Sequence, residues 1–460
     1  MALSKAGVFT LVFPVFLAGL VIRPPILEDY AKKLIDQVQR VNLTISAEVV
    51  PNTLAAVVDS PMFRFAVVYG LVAVTTYLAL GVYKALREPL AIYCDEPKVA
   101  YFVEGVAEGK TKEEQVREFK RWRRVGDVPP VYPNGWMSVL MSSELKRKEH
   151  KFVHVAGKNL AVFRGESGNA YIVDAYCAHL GANLAVGGSV QGECIECPFH
   201  GWRYRGSDGK CVKIGYAEKV PDFAKIPTYH SCEVNQRIFF WNHAEGKEPD
   251  WQIPELKEVT NGEMYPVGFT VAEYDGHNED VPENGADVAH LNYLHGPRGF
   301  TGRDTFTDAT WEAHETEKHI ASVYITSHQA KLFGFIPVPT DRLRVDQIGP
   351  CFAHFQLNHG MVGRMVFVLS VTPIGPMRQR IVTTAFYQGS RLAFYIGKRV
   401  LYEQYYQIEG DIPVWANKVY LRNAMLVKED HLIAKHRRFY AQFYSENSPK
   451  YTQEARSVDW

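Results

Sequence analysis

Residues 177–200, CAHLGANLAVGGSVQGECIECPFH, constrain this chain more than any other stretch. Cys177 and His179 form C-x-H, and Cys197 and His200 form C-x-x-H after seventeen intervening residues. Two thiolates and two imidazoles in two short loops can hold a binuclear iron–sulfur centre, with the cysteines on one iron and the histidines on the other. Imidazole is neutral where thiolate is anionic, so the reduced state is less penalised and the potential rises. The same four side chains could instead bind zinc, which takes the same ligand types. They could also be two buried cysteines and two surface histidines with no shared role. The flanks count against both alternatives. Pro198 and Phe199 lie inside the second pair, Gly201 and Trp202 follow it, and Gly181, Gly187, Gly188 and Gly192 allow tight turns and close backbone approach. Cys194 reads as a bystander, because Cys197 and His200 already supply the second ligand set.

The surrounding chain is β-rich. Short β-branched and aromatic runs at residues 153–155, 160–163, 170–173 and 237–241 are separated by Gly, Asn and Ser, which predicts strands joined by hairpins. CPFHGW in this context closely resembles the Rieske family, and the resemblance implies an all-β [2Fe-2S] domain over residues 130–250 with Cys177, His179, Cys197 and His200 as cluster ligands.

A second centre is expected downstream. Residues 283–295 read ENGADVAHLNYLH, with His290 and His295 five apart. On a regular α-helix five residues turn through about 500°, leaving the two rings about 140° apart, so a local break or π-like distortion is needed to bring both to one ion. Unrelated helix histidines would be a fair reading in isolation. The spacing, however, matches D-x-x-H-x4-H, the mononuclear-iron motif of Rieske oxygenases. Two histidines and one carboxylate leave positions open for dioxygen on non-haem iron. By resemblance to the family's downstream acidic motif before a tryptophan, Asp411 in EGDIPVW is the third ligand and Glu409 the runner-up; both could instead be acids at a helix N-terminus. The resemblance also implies that Asp287 is a bridge for electrons between a metal-ligating histidine and a cluster histidine of a neighbouring subunit. It further implies a homotrimer, and it gives Asn284 a family position. The catalytic domain, residues 251–445, is expected to be α+β with an antiparallel sheet, followed by a tail over 446–460. His354 and His359 read as structural or pocket residues.

The N-terminal region suggests a membrane-anchored α+β protein. Residues 65–83 carry no charge and are flanked by Arg64, Lys84 and Arg87, which makes them the best candidate for a transmembrane helix within an anchoring region 1–90. Residues 7–22 form a second apolar run, and residues 26–60 an amphipathic pattern. A charged linker spans 91–129. The zero net charge argues against nucleic-acid binding, and seven scattered cysteines argue against a secreted disulfide framework.

No G-x-G-x-x-G follows a strand, so a separate NAD(P)H-dependent reductase is expected as partner. The order of apolar segment, CPFHGW, ENGADVAHLNYLH and IEGDIPVW is similar to the animal cholesterol 7-desaturases, the Neverland group. That resemblance implies O2-dependent conversion of the sterol substrate cholesterol to 7-dehydrocholesterol for ecdysteroid-type steroid biosynthesis. It also implies a place in the endoplasmic reticulum membrane with the catalytic region facing the cytoplasm. The alternatives are a Rieske monooxygenase that hydroxylates a steroid or other lipophilic substrate, and an electron carrier. A carrier has no use for His290, His295 and Asp411.

Overall fold

The computed structural model describes residues 61–93, 109–111, 114, 115, 118, 124–295, 305–306, 309–325, 328–332, 336–338, 343–359 and 363–451. The chain divides into two compact units, Met1–Leu90 and Ala91–Trp460.

In the first unit, residues 65–83 do lie in a helix, Pro61–Arg87. The expected membrane crossing is corrected: among the described residues no helix is long and apolar enough to cross a membrane. That helix has 27 residues and rises about 40 Å. An uncharged apolar run marks a helix here, which is a weaker statement than a bilayer crossing. The membrane anchor and the reticulum placement rested on this span and lose their support with it. Residues 7–22 and 26–60 lie outside the described residues, as does most of the charged stretch around 108–124.

The large sheet of the second unit runs in the order Tyr265–Tyr274, Arg378–Gly389, Gly363–Gly375, Phe352–His359, Leu343–Ile348, Ile320–Ile325, Ala309–Ala313. The seven strands from Tyr265 onward pair antiparallel. Sequence alternation explains the faces. In Arg378–Gly389, Gln379, Ile381, Thr383 and Ala385 are buried while the residues between them are partly exposed, the period of a sheet with one covered face. Gly363–Gly375 is buried continuously from Met365 to Pro373, as a central strand covered on both sides must be. The long helix Arg391–Asn417 packs on this sheet. Gly397 permits the close approach: a Cβ there would meet Val267 at 3.0 Å and the Met365 sulfur at 3.3 Å.

Three smaller sheets carry the 177–200 loops. One pairs Ser231–Val234, Arg237–Asn242 and Gly135–Met141; another pairs His150–Val155, Lys158–Arg164 and Ala170–Asp174. The third runs Ser189–Gln191, Cys194–Glu196, Arg203–Arg205 and Cys211–Lys213. The hairpin at Ala156-Gly157 has positive φ at both residues, the mirror-image turn that suits twisted strands. Trp136, Phe239 and Trp241 from these sheets share one core with Ile348, Phe352 and Val368 of the large sheet. A buried Arg237 reinforces that joint, donating to the Val368 and Val382 carbonyls and to the Ser370 and Thr384 hydroxyls.

Candidate active site: two metal centres

The two cysteine loops are built alike. Gly181 N–H donates to the Cys177 carbonyl at 2.9 Å, and Gly201 N–H to the Cys197 carbonyl at 3.1 Å. Cys177 N–H donates to Ala182 and Cys197 N–H to Trp202, five residues on in each case. Gly181 and Gly201 both sit at positive φ, +73° and +68°, which a side chain would resist. Cys177 and Cys197 are buried, and the rings of His179 and His200 lie 4.8 Å apart. Trp202 stacks on His179 at 4.8 Å and 5°. Gly188 admits no side chain, since a Cβ would fall 2.1 Å from the Leu184 carbonyl oxygen.

The polar surroundings suit an anionic sulfur site. Burial pushes the Cys197 thiol up, while the N–H groups of Phe199 and His200 donate to it and pull the other way. Burial holds the Tyr204 phenol far above its usual range, so it stays protonated, and its oxygen lies 3.1 Å from Cys177 Sγ. His200 Nδ1 is buried without a hydrogen-bond partner. Two buried sulfurs, two adjacent rings and an orphaned ring nitrogen fit a [2Fe–2S] group with mixed ligation. Cys194 sits apart, on its strand opposite Gln191 and Arg205. The Tyr204 hydrogen bond stabilises extra negative charge on sulfur. Tyr204→Phe is therefore expected to lower the one-electron potential of the cluster by roughly 50 mV, as read by film voltammetry. An unchanged potential would show that the hydroxyl does not act on the sulfur.

His290, His295 and Asp411 converge at the second site. Residues Leu291–His295 form a π-helix, the distortion that a five-residue spacing requires. The ring centroids of His290 and His295 are 5.2 Å apart. One ligand atom from each of the three residues lies within 4.8 Å of the others, and His295 Nε2 is 3.2 Å from Asp411 Oδ1. Asp411 is in the interior of the helix Arg391–Asn417, not at a helix N-terminus. Asp287 caps the short helix Val288–His290: its Oδ1 accepts from His290 N–H at 3.3 Å, and its backbone carbonyl accepts from the His290 ring Nδ1. That bond fixes the tautomer and leaves Nε2 with its lone pair free to ligate. Burial lowers the His290 pKa, which favours the neutral ring, against an opposing pull from Asp411. Nitrogen and oxygen donors in this number fit non-haem iron with open positions.

Sequence reading missed a third cluster, Glu279, Glu283 and His436. Arg437 grips both oxygens of Glu283, at 2.5 and 3.0 Å, and burial raises Glu279 to about 8, so this group is already neutralised and reads as structural. His354 is buried, held down to about 4 by that burial, and stands apart from the converging ligands. The side chain of His359 lies outside the described residues.

His290, His295 and Asp411 line a cavity of about 190 Å³. Val323, Ile325, Val345, Phe355 and Leu369 of the large sheet make its walls apolar. Gln404, Gln407, Ile408, Asp411 and Trp415 line it from the long helix, at the spacing of one helical face. Asn284, at the end of the short helix Asp280–Asn284, is also in the lining.

Residues 135–229 match the Rieske [2Fe-2S] domain, and residues 240–444 match the 3-ketosteroid 9alpha-hydroxylase C-terminal domain. A cholesterol 7-desaturase from Xenopus laevis is 40% identical over 405 residues, covering 85% of this chain and 88% of that one. The chain belongs to the cholesterol 7-desaturase family. As a member of that family of Rieske oxygenases it is an oxidoreductase with a Rieske [2Fe–2S] cluster and a mononuclear non-haem iron. A probable 3-ketosteroid-9-alpha-monooxygenase, oxygenase component, from Rhodococcus rhodochrous is 29% identical, with 72% and 84% of the two chains covered. In fold the chain is similar to Pseudomonas putida NdmA solved with caffeine, with a TM-score of 0.54 at 16% identity and coverage of 71% and 92%.

Proposed function

We propose that this chain desaturates cholesterol, removing hydrogen from C7 and C8 to give 7-dehydrocholesterol. Dioxygen leaves as water, with the further electrons drawn from NAD(P)H and the protons from solvent. The observation that carries this reading is a His290–His295–Asp411 centre opening on an apolar cavity, in a chain of this family. We assign Cys177, His179, Cys197 and His200 to the cluster and His290, His295 and Asp411 to the iron. Residues 130–250 are then the cluster domain and 251–445 the catalytic domain. When bound, the iron supplies dioxygen activation at its open positions. The chain's own residues do the rest. Val323, Val345, Phe355 and Leu369 exclude water and hold a hydrocarbon skeleton. The Asp287 carbonyl fixes the His290 tautomer, and Asn284 shapes the cavity wall.

The electrons come from a separate reductase. The Rhodococcus relative is named as an oxygenase component, and no dinucleotide motif follows a strand here. We propose a head-to-tail trimer in which each cluster serves the next subunit's iron through Asp287. Its support is exposure at both ends of that path: Leu180 and Phe199 flank the cluster histidines and are 65% and 63% exposed, and Tyr293 beside the iron histidines is 84% exposed.

The test is sterol mass spectrometry on cells that express the chain with a compatible reductase and are fed cholesterol. 7-Dehydrocholesterol should appear, and should vanish with His290→Ala. A hydroxylated sterol in its place would replace desaturation with monooxygenation.

A further inference from the structure

Gln404 stands in the wall of the apolar cavity and carries an unmet hydrogen-bonding group that is closed to the open space. Its side chain lines the cavity, and its Oε1 is buried with no hydrogen-bond partner. An unpaired buried acceptor opposes folding, so one in a cavity wall marks a place where a ligand donor would be gained at little cost. The other cavity amide whose bonds are described is already used: Gln347 Oε1 meets His436 Nε2 at 3.2 Å, and its Nε2 donates to the Gly349 carbonyl.

Helix geometry puts Gln404 at a telling distance. It precedes Asp411 by seven residues, which is about 10.5 Å of rise and within about 20° of the same helical face. Cholesterol has one polar group, the 3-hydroxyl, on the ring that adjoins the one bearing C7. Bond lengths and angles place that oxygen roughly 6 Å from C7. Add a van der Waals approach of C7 to the iron ligands of about 4 Å, and the hydroxyl falls beside the Gln404 amide. Gln407 is one turn closer to Asp411, too near the centre for this role.

We propose that Gln404 is the positioning residue that anchors the sterol 3-hydroxyl. A turn about the soft terminal torsion of the side chain brings Oε1 to the hydroxyl, which donates to it and so sets which carbons face the iron. The inference rests on the sterol reading above and adds the residue that recognises the sterol.

The experiment is equilibrium binding of tritiated cholesterol and tritiated cholest-5-ene, which lacks the hydroxyl, to the detergent-dispersed full chain. The cluster's visible spectrum serves as the check on folding. The wild type should bind cholesterol about tenfold or more tightly than cholest-5-ene. Gln404→Leu should bind the two alike, with the affinity for cholest-5-ene unchanged or improved. A general packing defect would weaken both sterols together and overturn the proposal, as would a persisting tenfold preference. Gln404→Met keeps side-chain length; it decides the matter if Gln404→Leu fails to fold, by the same loss or persistence of preference. Equal binding of both sterols by the wild type removes Gln404 as an anchor while leaving the sterol reading intact. Binding of neither sterol overturns that reading, and the anchor falls with it.

Discussion

Asp411→Ala is expected to reduce sterol turnover by at least ~10³-fold, since it removes a ligand and with it the metal that does the chemistry. Total iron should fall to that of the cluster alone, and the EPR signal of the reduced cluster should be unchanged. Glu409→Ala should keep both iron and turnover. The contrast follows from helix geometry. Glu409 lies two positions before Asp411, a rotation of about 200°, so the two side chains leave the helix on nearly opposite sides. Asp411 is buried 3.2 Å from His295, and Glu409 is outside the converging set. Iron retained in Asp411→Ala and lost in Glu409→Ala would reverse the assignment.

Arg237→Ala is expected to lower the thermal midpoint by on the order of 10 °C without touching either metal site. The guanidinium is wholly buried, and burial pulls its pKa down only to about 10, so it remains charged at neutral pH. Its charge is spread over two carbonyls and two hydroxyls of the large sheet, and the Glu144 carboxylate adds an attraction without a direct hydrogen bond. Truncation leaves those acceptors facing a void across the joint between the cluster sheets and the catalytic sheet, which costs about 3–5 kcal/mol. Arg237→Met, which refills the void without a charge, should recover much of the loss, because a buried ion is itself expensive to hold. A midpoint unchanged in Arg237→Ala would mean that the shared aromatic core alone holds the joint.

Much of the site was legible because its chemistry is local. C-x-H and C-x-x-H need their partners within a few residues, and the glycines mark where backbone must bend: Gly181 and Gly201 occupy the same place in two matching loops. The five-residue spacing of His290 and His295 demanded a widened turn, and Leu291–His295 has one. What sequence could not place depends on long-range packing. Asp411 reads equally well as a helix-start acid until the helix is seen to begin twenty residues earlier, at Arg391. Tyr204 meets Cys177, Arg237 meets Thr384 and Gln404 meets the cavity only after strands far apart in sequence have paired. The apolar run at 65–83 misled for the opposite reason. Hydrophobic residues promote helix whether or not the helix is bilayer-like, so a charge-free run marks the helix Pro61–Arg87 and no more.

The widened turn at Leu291–His295 also makes metal content and backbone register two readings of one equilibrium. Tightening it to an ordinary α-turn would swing His295 by about 100° and carry its imidazole away from Asp411. An ion that binds only the wide form therefore stabilises that form by an amount set by its concentration over its dissociation constant. Stripping the iron should loosen the amides of residues 291–295 well before the large sheet responds. Amide exchange in this single turn then serves as a gauge of iron occupancy that needs neither substrate nor dioxygen.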